Sequence, residues 1–181
     1  MTALVQEITR EHRNIAQVLR LLEREIGAFE EGEGFDAELW HLILDYLRDF
    51  PARVHHPKED LIYRRLMERQ SEAAPALQDL EAEHVRLAAT LDRLAGLVEA
   101  VERDVELPRC LLVGAARDFL AFQRTHMLRE EESFLPFAES RLTAADWQAV
   151  AARAQKRPDP LFDEQEEKRF AELRTAILEA S

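Results

Sequence analysis

The residues with chemical promise in this chain are histidines and glutamates set at helical spacing. His55 and Glu59 stand four apart, and so do His126 and Glu130. Residues i and i+4 lie on one helix face, one turn apart. His12 falls between Ile8 and Ile15, and His84 between Leu80 and Leu87. Each histidine therefore fills a gap in an apolar stripe and points at the same core as its aliphatic neighbours. Any one of them alone reads as a core histidine bonded to a neighbour. Four imidazoles and two carboxylates on buried stripes need more, because an unpaired buried charge is very costly. A cation removes that cost. Imidazole and carboxylate ligands without thiolate suit iron, manganese or zinc. Six protein ligands exceed the four that one zinc takes; they fit two ions bridged by Glu59 and Glu130.

Four long amphipathic helices must position these groups. Apolar periodicity predicts helices over about 3–29, 36–69, 75–101 and 109–139. Pro51 and Pro57 predict a kink or break in the second, since proline removes a donor and crowds the preceding turn. Pro75 suits the first turn of the third. Short connections predict an all-α, up-down antiparallel four-helix bundle. At about 1.5 Å of rise per residue, the six candidate ligands together span about two turns of height. Thr143 with Asp146 could cap a short helix ending near Arg157. Pro158-Asp159-Pro160 reads as a linker, and a last helix spans about 163–180. The division expected is a metal-binding bundle over 1–140 and a C-terminal helical extension over 141–181, the latter packing on the bundle or making a homodimer contact. No repeat of fixed period emerges.

The composition agrees with long helices and narrows the partners. Net charge is −12 with pI about 5.0, which argues against nucleic acid or an anionic membrane as partner. No stretch of about 18 apolar residues occurs, so no spanning helix is expected. Cys110 is the single cysteine and cannot pair internally. A cytoplasmic, reducing setting is expected. No Ser/His/Asp triad, glycine-rich phosphate loop or Cys-x-x-Cys pair competes with the metal reading.

The two His-x-x-x-Glu motifs, with single histidines on the helices between, resemble the hemerythrin-like, or HHE cation-binding, family. The carriers are His55-His56-Pro57-Lys58-Glu59-Asp60, Glu83-His84, and the run from His126 through Glu130 to Pro136. The likeness covers about residues 4–139. It implies a left-handed bundle and an oxo- or hydroxo-bridged di-iron centre. It implies His12, His55, Glu59, His84, His126 and Glu130 as ligands, with oxygen, nitric oxide or peroxide as the small-molecule partner. Manganese or zinc could substitute for iron.

One departure stands out. Oxygen carriers of this family have a second histidine one turn after the third-helix ligand, and here that position is Ala88. The expectation is an open position on one metal, which disfavours simple oxygen carriage. Glu81 and His56 could fill it, but both lie off the seam of an ideal helix and read as structural. Tyr46 and Tyr63 read as surface or interface residues, His41 as a surface residue, and Glu131 and Glu132 as solvated or just outside the ligands. The leading functional expectation is a di-iron module that binds, senses or detoxifies a small molecule or handles iron. The alternatives are a di-iron peroxidase, catalase-like or nitric-oxide-reducing enzyme, and a metal-free helical interaction module.

Overall fold

The structure, a computed structural model, describes residues 1–69, 79–162 and 168–180. The described residues form helices joined by short turns and contain no strand. Helix α1 spans Ala3–Glu31, capped by the Thr2 side chain on Val5 N and closed by Gly32 at φ +83°. Only glycine takes that left-handed cap without strain. Helix α2 spans Ala37–Asp49. A five-residue π-helical turn, Pro51–His55, joins it to α3, His56–Arg69. Helix α4 spans Leu80–Glu102 and α5 spans Arg109–Arg129. A second π turn, Glu130–Phe134, leads into α6, Leu135–Arg141. Helix α7 is Ala144–Arg153, and α8 is Ala171–Glu179 behind a short 3-10 turn, Lys168–Phe170. The expected helix starts near Pro75 and Asp163 lie outside the described residues.

Helix α1 packs on α2 and α5, and α4 packs on the same two. Their apolar faces form two separate clusters. One holds Ile15, Leu19, Val54, Leu87, Phe119 and Met127 among others. The second holds Ile8, Ile62, Leu66, Leu80, Phe134 and Trp147 among others. Between them lies a layer of histidine and glutamate, because each of His12, Glu59, His84 and Glu130 falls between a residue of one cluster and a residue of the other.

The break expected in the second helix takes the form of the first π turn. His55 N bonds Phe50 O at 3.1 Å, and His56 N bonds Pro51 O. The wider turn inserts a residue into the helical register. It rolls the following residues so that His55, His56 and Glu59 all face the core.

The C-terminal segments pack on the same chain. Phe170, Leu173 and Ile177 join the larger apolar cluster, and α8 lies on α1 and α2. The stretch expected to be a linker is anchored. Asp159 is 3% exposed and accepts hydrogen bonds from Tyr46 Oη and Asn14 Nδ2, both at 3.1 Å. Tyr46 is thus fully buried, against its surface expectation, stacked on Phe50 and edge-on to Phe170. Sequence periodicity could not anticipate this, because the anchoring partner lies 113 residues away. Asp49 meets Arg157 and Arg169 from the same tail.

Helix α7 docks on α3. The capping box expected at Thr143 and Asp146 is present, and Asp146 also accepts from Arg65 at 2.8 Å and Arg69 at 2.8 Å. Its cover is one layer of guanidinium, whose own heads reach solvent. The bonds to Thr143 and the two arginines hold the Asp146 carboxyl below its ordinary range. A depressed carboxyl stabilises the fold above its unfolded pKa of about 4, and the contribution is lost as pH falls through the folded value. Hydrogen exchange of residues 144–153 should therefore stay slow from neutral pH down to about 4 and quicken only in stronger acid. Thr143→Ala should cost about 1 kcal/mol, or roughly 2–4 °C in a chain this size.

Candidate metal centre

The structure brings all six sequence-predicted residues together. His12, His55, Glu59, His84, His126 and Glu130 are each at most 8% exposed. Ligand atoms of His12, His55 and Glu59 lie within 4.8 Å of one another, and so do those of His56, His84, His126 and Glu59. The two carboxylates straddle these groups. Glu59 turns Oε1 to His12 at 3.4 Å and His55 at 3.5 Å, and Oε2 to His84 at 3.5 Å. Glu130 turns Oε2 to His12 at 3.3 Å, and Oε1 to His126 at 3.0 Å and His84 at 3.5 Å.

These groups face one another without satisfying one another. Nε2 of His12, His55 and His56 and all four oxygens of Glu59 and Glu130 are buried with no hydrogen-bond partner. His84 Nε2 and His126 Nε2 meet at 3.1 Å, which needs a proton or a cation between them. Orphaned nitrogen lone pairs and carboxylate oxygens converging on one place are the donor set of a divalent metal. The residues present fit such ions.

The far side of four rings is held by carboxylates. His12 Nδ1 meets Glu131 at 2.9 Å, His55 Nδ1 meets Glu11 at 2.8 Å, His84 Nδ1 meets Asp60 at 2.7 Å, and His126 Nδ1 meets Glu83 at 3.1 Å. A carboxylate only accepts, so each Nδ1 donates to it and each Nε2 turns inward. Sequence reasoning misses Glu11 and Glu83 as site residues. Each directly precedes a candidate ligand histidine, and Glu83 enters the sequence reading only as part of the Glu83-His84 motif.

Two expectations are corrected. His56 is not off the seam: it is 5% exposed, stacks on His84 at 4.2 Å and 8°, and lies in the second group of candidate ligand atoms. The π turn, not Pro57, brings it in. Ala88 does not mark a gap in the centre. It is exposed, and Leu87 continues the buried seam beyond His84. Other expectations hold. Glu81 pairs with Arg64 at the surface, and His41 pairs with Glu102 there.

The family follows from a match to this same stretch. The hemerythrin HHE cation-binding domain model matches residues 3–138. The chain belongs to the hemerythrin HHE family. No curated protein and no solved structure matches it. The HHE match covers all seven clustered residues and stops before α7.

Protons hold the metal-free centre together. Burial works against charged imidazoles, yet contacts with Glu130, Glu131 and Glu59 push His12 up to about 12. Against the same burial, Asp60 and Glu130 push His84 up to about 10. Burial would raise Glu130, but His12, His126 and His84 hold it well below the usual range. Burial, with His84, His55 and His126 nearby, drives His56 well below its ordinary value, which leaves it neutral. A raised histidine stabilises the fold fully below its unfolded pKa of about 6.5, and loses that contribution as pH rises through the folded value. The metal-free chain should therefore lose stability steadily above about pH 6.5. Urea midpoints at pH 6.5 and 8.5 check the sign.

Proposed function

We propose that the chain is a di-iron protein of the HHE type that binds, senses or detoxifies oxygen, nitric oxide or peroxide. The observation that carries this reading is the straddling of Glu59 and Glu130, each of which offers one oxygen to each histidine group. On this reading His12 and His55 hold one ion, and His56, His84 and His126 hold the other. Both carboxylates serve both ions. With two imidazoles against three, the His12–His55 ion would be the one left with an open position. That replaces Ala88 as the reason to disfavour simple oxygen storage.

Iron held there would supply binding and electron exchange with a small diatomic or peroxide. The chain's own part is to hold five imidazoles and two carboxylates in place and to keep them dry. The apolar clusters on either side, with Ile8, Ile62 and Phe134 below and Ile15, Val54 and Leu87 above, exclude water from both faces of the layer. The open position and this dryness also suit peroxide or nitric oxide turnover, the second reading.

The four main helical segments are read as an up-down antiparallel bundle over residues 1–140, with 141–181 as a brace. Among the described residues no helix is long and apolar enough to cross a membrane, and Cys110 is free and exposed. A cytoplasmic setting is in keeping with that thiol.

The test is an optical spectrum and metal analysis of iron-loaded protein, with and without oxygen and peroxide. Close to two irons per chain and a spectrum that responds to either oxidant are expected. Steady turnover of peroxide or nitric oxide selects the enzyme. One iron per chain or none overturns the di-iron reading.

A further inference from the structure

The centre is built twice from one pattern. Glu83-His84 follows Glu11-His12 by 72 residues, and His126, Arg129, Glu130 and Glu131 follow His55, Lys58, Glu59 and Asp60 by 71. The apolar stripe of α1 repeats with it, since Ile8, Ile15, Leu19, Leu22 and Ile26 are matched 72 residues on by Leu80, Leu87, Leu91, Leu94 and Val98; the expectation of no repeat of fixed period fails for this pair of helices. The contacts repeat with the residues. Glu11 takes His55 Nδ1 as Glu83 takes His126 Nδ1. Lys58 donates to Glu11 as Arg129 donates to Glu83, the latter at 2.8 Å. The crossing contacts also match: Asp60 on His84 in the other half, and Glu131 on His12. His56 breaks the symmetry, since its counterpart is Met127.

Lys58 is 1% exposed, and Glu11 and Glu83 are each 4% exposed. Apolar residues in such places usually give equal or greater stability. Carboxylates kept there in two copies, each ending on a candidate ligand imidazole, with the buried Lys58 behind one and the half-exposed Arg129 behind the other, have a task other than holding the fold. A carboxylate on Nδ1 fixes the tautomer and the ring plane and makes Nε2 more basic. The cation behind it holds the carboxylate in place.

We propose that Lys58–Glu11 and Arg129–Glu83 are two equivalent positioning arms, the first setting His55 for one metal ion and the second setting His126 for the other. The arms act through the imidazoles and do not touch the ions. Because Glu11 and Glu83 each sit beside a ligand on their own helix, each arm ties a ligand of one helix to the orientation of a ligand on another. The two ions are thereby tuned separately, one arm each.

This inference rests on the two-metal reading. Cobalt(II) titrated into the full metal-free chain, followed by calorimetry and by its visible bands, separates the two claims. Wild type should take two ions. Glu11→Gln keeps the shape and an acceptor oxygen but loses the charge; it should weaken one ion about 10–100-fold and shift its bands. Glu83→Gln should do the same to the other ion. The metal-free midpoint should fall in either variant, because a charged partner is lost; a purely structural role would leave the bands of both ions unshifted, whereas a positioning role shifts those of one ion. Glu11→Asp, which keeps the charge and retracts the oxygen, should weaken the same ion as Glu11→Gln. Two ions bound with wild-type affinity and bands in both Gln variants overturn the arms and leave the site standing. So does loss of the same ion in both. A wild-type chain that takes up no cobalt overturns the two-metal reading itself, and the arms with it.

Discussion

Replacing either Glu59 or Glu130 with alanine should strip the chain of its paired metal ions. Each carboxylate offers an oxygen to both histidine groups, so losing one removes a ligand from both positions at once. The loss should exceed the roughly 10–100-fold that follows from changing a residue outside the ligands. Metal analysis after iron loading should fall from about two ions per chain to one or none. Glu81→Ala is the control. Its carboxylate is spent on Arg64 at the surface, so its metal content should match wild type. Full occupancy in both Glu59→Ala and Glu130→Ala would sink the assignment.

Loading metal should raise thermal stability by an amount large for a single ligand. The metal-free layer between the two apolar clusters keeps several buried lone pairs unsatisfied, and an ion satisfies them only in the folded chain. An ion at free concentration about 1,000 times its Kd adds roughly 4 kcal/mol. In a chain of this length that is roughly 8–16 °C per ion. Binding must displace the protons that His12 and His84 hold, so the gain should grow as pH rises from 6 to 8. The metal-free trend runs the opposite way, and the two slopes together identify the histidines as the linked groups. A chelator should return the midpoint to its starting value. A midpoint that ignores metal would mean that the ions do not sit in the native core.

Much of the site is legible in the order of residues alone. His-x-x-x-Glu puts both groups on one face by helix geometry, and the flanking leucines and isoleucines say that this face is buried. The heights of the six residues follow from rise per residue and element length. Where the periodicity is simple, as at Ile8-His12-Ile15 and Leu80-His84-Leu87, expectation and structure agree. His56 escapes because a π turn changes the register within a few residues, and a 3.6-residue period cannot express an inserted residue. Prolines at 51 and 57 announce a disturbance there, but not which way it turns the histidine. Ala88 misleads for a related reason: the buried side of α4 drifts from His84 to Leu87, so the position four residues on faces water.

The tail and the outer carboxylates are harder. Tyr46 on Asp159 and His12 on Glu131 are pairs separated by 113 and 119 residues. Nothing local in either partner states the match. An acid beside a ligand histidine looks like any solvated helix residue until a neighbouring helix is placed against it.

The sequence by itself determined that this chain makes long helices with histidine and glutamate on their inner faces within about two turns of height. Those properties depend only on spacing along one helix. Only the tertiary structure decided that His56 joins the five-histidine set, that Glu59 and Glu130 straddle two groups, and that each of four rings is held from behind by an acid of another helix. Those are relations between helices. They depend on how far each helix is rotated about its axis when it packs, and a single turn with one residue too many is enough to reset that angle.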